Sequence, residues 1–412
     1  MPGRNSKRLA RRGITLLEVL VSIGVLSIGM LGAATMLPLA KYYSAEASKY
    51  DRASTLGAQA YHDMQIRGYL SPKKWIDPLG AFNFTNASVV VVDPLALTYA
   101  SETYASTAAT MSLAPVFFPA LPTNNPNPPV PTAPIVFRTN IDVTNNWPDA
   151  APQPKSATGG VAMPFPMADR IFRSNDDLVF DVPGQTDRRP QTPTGWLSPD
   201  YSGDYSWLVT VSHPAVDLFN APNMQRLECS LVVFYKRDVN LNPGDWPGPP
   251  TNKKAPPERM VYADFLQQPA NGMPFFSGGT VRLHTIGTGT PPNTTQVQSQ
   301  TNWLDGLKPN TFVMLSANFV DTVATGGTFP RIGWYRIVSV DEGAQVVGNS
   351  ASRIITLDGD DWSAMKDSNG NLLWQDGDAG QNTTPTVFCT IVDGAVAVYN
   401  DSILLDGSVL RD

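Results

Sequence analysis

A long uncharged run near the start of the chain constrains the fold more than any other feature. Residues 19–40 contain no Asp, Glu, Lys or Arg. As a helix, residues 14–37 would be about 36 Å long, enough to span the ~30 Å hydrocarbon layer of a membrane. The charges in residues 1–13 are all basic: Arg4, Lys7, Arg8, Arg11 and Arg12. The positive-inside rule keeps such an end in the cytoplasm, so the rest of the chain is expected to cross.

Two common types of segment share this pattern. A cleavable secretory signal also has basic residues before an apolar run, but its apolar region is shorter than this one. A plain uncleaved anchor explains the length and orientation but leaves Glu18 unexplained. A carboxylate at the centre of a membrane helix costs about 2.5–3.5 kcal/mol, and less near its edge, so Glu18 is a candidate functional residue.

The residues around Glu18 resemble a known family. The string Gly13-Ile14-Thr15-Leu16-Leu17-Glu18 and its continuation to residue 23 are similar to the prepilin-type cleavage and methylation motif of type IV pilins and type II secretion pseudopilins. Residues 26–32 are most similar to the minor, pilus-modification pilins. The resemblance implies that prepilin peptidase cuts between Gly13 and Ile14 and methylates the new amino group of Ile14. The family more often has Phe at this position, and Ile14 is likewise apolar.

Physical chemistry gives each residue of the motif a reason. Gly13 has no side chain to obstruct an extended peptide in a protease, and the basic leader holds that peptide at the membrane face. Glu18 lies four residues after the new terminus, so it can meet the ammonium of Ile14 on a neighbouring subunit. In a low dielectric that pair offsets the desolvation of both charges and fixes the register between subunits.

Composition indicates an α+β protein with an extracytoplasmic β domain. The 412 residues include 37 Pro and 32 Gly, which is typical of strands joined by long turns. The net charge is −6 and only 16% of residues are charged, so no basic field for nucleic acid is expected outside the leader. We expect a long transmembrane and amphipathic helix, then a mainly antiparallel β domain with long Pro/Gly-rich loops.

The pattern along the chain divides it into five segments. They are a basic leader (1–13), a transmembrane helix (14–40), an amphipathic helical spine (41–70), a Pro-rich, loop-dominated segment with few strands (71–175) and a β-rich globular domain (176–412). Gly68 and Pro72 are expected to end the spine, and Pro38 to kink or loosen the membrane helix. The prolines of residues 115–166 predict loop with polyproline II character rather than sheet.

Alternating and β-branched patterns predict the strands. They are residues 87–92, 177–182, 205–212, 226–236, 260–265, 280–285, 311–315, 333–340, 353–357, 386–392 and 395–399. The Asp393-Gly394 dipeptide between the last two predicts a hairpin. Cys229 and Cys389 each lie on the apolar side of a predicted strand, which leaves two alternatives: one disulfide closing a long loop, or two buried free thiols.

Candidate sites outside the motif are few. Asp367, Asn369, Asn371, Asp376 and Asp378 place oxygen ligands of the kind that Ca²⁺ takes in one loop. Some of the pseudopilins that the N-terminal segment resembles bind calcium in a C-terminal loop. Leu372 stands where a calcium loop of the EF-hand type needs Gly, so a solvated turn is the alternative. His62, His213 and His284 have no catalytic or metal-ligand spacing, and neither an enzymatic activity nor a resident cofactor is expected.

These observations predict a structural subunit of a type IV pilus or type II secretion pseudopilus. It would be a minor subunit because its domain is bulky, and it would sit as a single-pass protein in the bacterial inner membrane with its N-terminus cytoplasmic. Prepilin peptidase and other pilin-like subunits are the expected partners. The alternative is a single-pass surface protein that binds a ligand through its β domain and does not polymerise.

Overall fold

The structure is a computed structural model. It describes residues 15–77, 89–104, 116–119, 136–143, 155–156, 160–174, 203–212, 226–239, 257–266, 279–285, 303–320, 328–347, 350–359 and 387–404. The chain forms two compact units, divided between Arg52 and Ala53. The expected architecture, a long N-terminal apolar helix followed by a mainly antiparallel β domain, is confirmed.

The first element is the 51-residue helix α1, Leu16–Ile66. It continues through Pro38, where the sequence predicted a kink or a loosened turn. An interior proline removes one N–H donor and crowds the carbonyl four residues back, which can bend a helix without ending it. The predicted end is confirmed: Gly68 has φ +67°, its N–H donates to Gln65 O at 3.0 Å, and the Tyr69 N–H donates to Met64 O at 2.9 Å. This is a Schellman C-cap, in which a left-handed glycine satisfies the last carbonyls.

Short helices and many strands follow α1. The helices are α2, Pro94–Tyr104, and α3, Phe165–Ile171. Strands β1 to β7 are Trp75–Asp77, Val90–Val92, Phe117–Phe118, Val136–Ile141, Lys155–Ser156, Tyr205–Ser212 and Arg226–Tyr235. Strands β8 to β15 are Glu258–Phe265, Thr280–His284, Phe312–Val320, Thr328–Val340, Gln345–Val347, Ser350–Asp358, Val387–Val392 and Ala395–Leu404.

Within the described ranges, eight strands form what we call the first sheet. Their order is β15-β7-β6-β2-β4-β1-β5, with β3 paired to β4. The β2–β4 and β1–β5 pairs are parallel, and the other pairs are antiparallel. Strand β4 corrects the expectation that residues 115–166 hold only loop. Its residues, Val136 to Ile141, contain no proline, so every N–H can join a ladder.

The strands between β7 and β15 form a second, closed sheet, which we call the barrel. Its described strands follow the order β11-β10-β14-β8-β9-β13, and β13 pairs back to β11, so the ring closes with every pair antiparallel. Strand β12 pairs with β13 outside the ring. Every second residue of the ring strands points into one apolar core, for example Val313, Leu315 and Ala317 of β10.

The two faces of the first sheet pack against different elements, α1 on one face and the barrel on the other. On one face, a Cβ at Gly57 of α1 would lie 3.4 Å from the Val233 side chain, and the Tyr61 and Tyr399 ring centroids are 5.2 Å apart. On the other face, the first sheet and the outer side of the barrel share one apolar cluster. That cluster contains Leu208, Val232 and Phe234 from the first sheet, and Met314, Trp334 and Val392 from the barrel.

The Asp393-Gly394 turn corrects the predicted hairpin. Strand β14 pairs with β8 and β10 in the barrel, whereas β15 pairs with β7 in the first sheet. The dipeptide therefore joins two sheets instead of two paired strands. Gly394 has φ +88°, and a Cβ there would lie 2.5 Å from the carbonyl oxygen of Tyr235, so the turn requires glycine. Of the predicted strands, residues 177–182 lie outside the described part of the chain.

Candidate functional site

The described part of the motif begins at the first turn of α1. The N–H of Glu18 donates to Thr15 Oγ1 at 3.3 Å and to Thr15 O at 3.0 Å. Thr15 is thus the N-cap, and Glu18 is the third helical residue, the spacing of a Thr-x-x-Glu capping box. Negative charge is favoured in the first turn because unpaired N–H groups and the helix dipole both face it. Gly13 and Ile14, which precede this cap directly, lie outside the described residues.

The surface around Glu18 is apolar and uncovered. Residues 15–45 are all exposed, and Glu18 is the one charged residue in positions 16–40. The hydroxyls of Ser22, Ser27 and Thr35 donate to Glu18 O, Ile23 O and Gly32 O at 2.7–2.8 Å. These hydroxyls are satisfied by the carbonyls of the helix itself, which suits a lipid environment. The helix is also long and apolar enough to cross a membrane.

Both cysteines are buried free thiols, so the disulfide alternative is not formed in the structure. Cys229 lies in β7 of the first sheet, between Val211 and Asp401 of the neighbouring strands. Cys389 lies inside the barrel, between Leu315 and Val261. The sequence predicted that each cysteine lies on the apolar side of its strand. In the structure these two apolar sides belong to separate cores, one of the first sheet and one of the barrel. Burial raises the pKa of both thiols, and the charge of Asp401 adds to the effect at Cys229 while Arg259 opposes it at Cys389.

The calcium candidates lie outside the described residues. Asp367, Asn369, Asn371, Asp376 and Asp378 all fall between β13 and β14, where residues 360–386 carry no description. In the ranges that the structure does describe, no group of three or more His, Cys, Asp or Glu side chains could hold a metal ion.

A polar cleft of about 340 Å³ lies on the barrel, lined by residues of β8, β9 and β13 and by the turn before β12. Three of its charged or titratable side chains, Asp264, His284 and Arg353, have partners. His284 Nε2 lies 3.0 Å from Asp264 Oδ2, and its ring stacks on Tyr262 with centroids 5.4 Å apart. Arg353 donates to the carbonyls of Asp341 and Leu304. The arrangement resembles a satisfied surface network more than a reactive centre.

Sequence reasoning missed a buried group of four charges, which we call the junction cluster: Asp93, Arg138, Arg237 and Glu258. Arg237 donates to Asp93 Oδ1 at 3.1 Å, to Asp93 Oδ2 at 2.6 Å and to Glu258 Oε1 at 3.0 Å. Arg138 donates to Asp93 Oδ2 at 3.0 Å and also to Glu258 Oε2. All four side chains are at most 1% exposed.

Four separate segments supply the junction cluster. Asp93 is the N-cap of α2 and accepts the Ala96 N–H at 3.3 Å, Arg138 is in β4, Arg237 follows β7, and Glu258 begins β8. Burial would raise the pKa of Asp93, but the guanidinium groups of Arg237 and Arg138 outweigh burial and hold it below its usual value. No pattern in the sequence links these four residues.

Comparison with known proteins places the functional signal at the N-terminus. The family model described as the prokaryotic N-terminal methylation motif matches residues 8–34, a segment that includes the cap at Thr15 and Glu18. No curated protein matches the chain. This motif implies processing by prepilin peptidase. Together with the long apolar helix α1, the match at residues 8–34 supports a type IV pilin-like protein.

Proposed function

We propose that the protein is a minor structural subunit of a type IV pilus or a type II secretion pseudopilus. Prepilin peptidase cuts it between Gly13 and Ile14 and methylates Ile14, and the mature subunit assembles through the first part of α1. The β domain is then carried as a large surface module. The role that we propose is structural.

The observation that carries the proposal is the uncovered apolar surface of α1 with one acid in its first turn. Exposed side chains include Leu16, Leu20, Ile23 and Leu31, each at least 54% exposed. A surface of this kind is stable only in lipid or against other apolar helices. In this scheme, membrane lipid covers the α1 surface before assembly, and neighbouring α1 helices cover it afterwards.

Glu18 supplies the register in this scheme. Cleavage leaves the ammonium of Ile14 one residue before the N-cap Thr15, and Glu18 lies in the same first turn. An ammonium and a carboxylate from adjacent helices form a pair whose attraction offsets the cost of burying each charge. Neighbouring helices that slide by a turn break this pair, so one stagger is favoured over the others.

The proposed topology follows from the charges on either side of the span. Arg4, Lys7, Arg8, Arg11 and Arg12 keep the leader in the cytoplasm, where the peptidase acts. The helix crosses the inner membrane once, and the β domain lies outside the cytoplasm. The minor role is supported by the size of that domain, which combines the first sheet and the barrel.

Cross-linking between membrane spans tests the proposal. The two native cysteines are buried, so a single Ile28→Cys substitution places one reactive thiol in the exposed span. We expect disulfide or bis-maleimide cross-links from this position to the same cysteine in a second copy, or to a cysteine placed in the span of another pilin-like subunit, and their loss when Glu18→Val is added. The Ile66→Cys variant, exposed at the end of α1, is the matched control outside the span. A span that never cross-links would favour the alternative, a single-pass surface protein that does not polymerise.

A further inference from the structure

The barrel is an insertion between two neighbouring strands of the first sheet. Strand β7 precedes it, β15 follows it, and these two strands pair over their whole length. The chain leaves and returns at one point: the Asp393 N–H donates to Pro257 O at 2.9 Å, and the Tyr235 N–H donates to Gly394 O at 2.8 Å. The pairing between β7 and β15 in the first sheet is therefore kept, although the whole barrel lies between these two strands in the chain.

Consecutive residues at the start of the barrel face opposite sides. Arg259 lies on the side of Val261 and the barrel core, where it donates to Asp393 Oδ1 at 2.8 Å and to Trp303 O at 2.6 Å. Glu258 lies on the opposite side of β8 and reaches the junction cluster. Arg259 thus ties the two ends of the barrel together, and Glu258 faces the first sheet.

The junction cluster divides unequally between the two sheets. The first sheet and its connections supply Asp93, Arg138 and Arg237, one negative charge and two positive charges, all buried. The barrel supplies Glu258, whose carboxylate accepts from both guanidinium groups and brings the total to zero. A buried charge without a partner is strongly unfavourable, so the first sheet requires an acid at this position.

We propose that Glu258 is a seating residue, which fixes the barrel on the first sheet by neutralising the excess buried charge of Asp93, Arg138 and Arg237. The apolar contact between the sheets is non-directional and tolerates sliding. By contrast, hydrogen bonds from guanidinium groups to both oxygens of one carboxylate are directional and fix the relative position of the groups. The barrel is therefore held in one orientation, and its outer surface is presented in a fixed direction relative to the first sheet.

Hydrogen exchange on the full chain in detergent tests this role. In Glu258→Gln, we expect faster exchange in the strands that carry the contact between the sheets, such as those around Trp334, Met314 and Leu208. The amides of β9 and β13, which contribute no residue to the apolar cluster between the sheets, should keep their protection, because the ring closes without Glu258. Glu258→Asp, which keeps the charge on a shorter side chain, should fold and show an intermediate increase.

A second substitution restores the charge balance. Adding Arg138→Gln to Glu258→Gln leaves Asp93 and Arg237 as a neutral pair, so the double variant should exchange more slowly at the contact than Glu258→Gln alone. Asp358→Asn is the matched control, since it removes an acid from a partly exposed pair with Arg336 in the same barrel. Uniform acceleration across both sheets, unchanged exchange in Glu258→Gln and Glu258→Asp, or a double variant worse than the single would each overturn the proposal.

Discussion

Asp393 and Pro257 hold the two ends of the barrel together, because the main-chain N–H of Asp393 donates to the carbonyl oxygen of Pro257 at 2.9 Å. The side chain of Asp393 adds an ion pair with Arg259 at 2.8 Å. A long insertion can be accommodated in a sheet when its ends are adjacent, since the flanking strands then need no distortion. This arrangement explains how one chain carries both a helix-backed sheet and a closed barrel.

Replacing Glu18 should abolish assembly without affecting the folded domain. We expect Glu18→Val to be cleaved after Gly13 but to be absent from filaments, because the Ile14 ammonium of a neighbour then has no counter-charge. Its melting temperature should equal that of the unmodified chain. Glu46→Gln removes an acid of the same helix that pairs with Lys49 at 2.6 Å, and it should still assemble. Normal filament levels of Glu18→Val would contradict the assigned role.

Adding a methyl group at Gly394 should be far more damaging than adding one at Gly343. Both glycines have positive φ, +88° and +76°. A Cβ at Gly394 meets Tyr235 O at 2.5 Å, whereas nothing lies within 4 Å of one at Gly343. We expect Gly343→Ala to lower the free energy of unfolding by about 1 kcal/mol and Gly394→Ala by about 3 kcal/mol or more. Equal losses in chemical denaturation would show that the close approach to Tyr235 is not a constraint.

Both thiols should be unreactive in the folded chain. Burial raises the pKa of Cys229 and Cys389, and a thiol must ionise and be accessible before it reacts. At pH 8 we expect maleimide labelling to be slower than in denaturant by on the order of 100-fold, and two labels per unfolded chain without any reductant. A mass deficit of two hydrogens, or labelling that needs reductant, would indicate a disulfide instead.

The stabilising effect of Asp93 should depend on pH in a defined direction. Its pKa is held below the usual 3.8, so its contribution is complete above that value and is lost as the pH falls through the folded pKa. At pH 7, Asp93→Asn should lower the free energy of unfolding by about 3–5 kcal/mol, as expected when a buried ion pair loses one partner. The difference from the unmodified chain should shrink below about pH 4. A difference that stays constant to pH 2 would show that the carboxylate charge is not responsible.

The elements that depend on local pattern could be predicted from the sequence. The end of α1 follows from Gly68, and the strand at 205–212 has the predicted bounds because aromatic and β-branched residues recur along it. The candidate cleavage and assembly residues are also local, since they fall within one motif. Local pattern does not say which strands pair. The Asp393-Gly394 signal correctly marked a turn, but nothing within the dipeptide shows that the next strand returns to β7.

The junction cluster could not be predicted for the same reason. Arg237 and Asp93 are 144 positions apart, and Arg138 and Glu258 are 120 apart, so no spacing in the sequence connects them. Each residue alone is an ordinary solvated charge by composition. Only the folded topology, with β8 starting beside β4 and the end of β7, brings them together. The closed barrel has the same origin, since its ring depends on a pairing between β11 and β13.

The most direct test of the pilin-like assignment is the intact mass of the protein in filaments sheared from its native host. The account predicts that the protein is present there and that its chain begins at Ile14 carrying one N-methyl group. Recovery only from the membrane fraction, with residues 1–13 still attached, would contradict it.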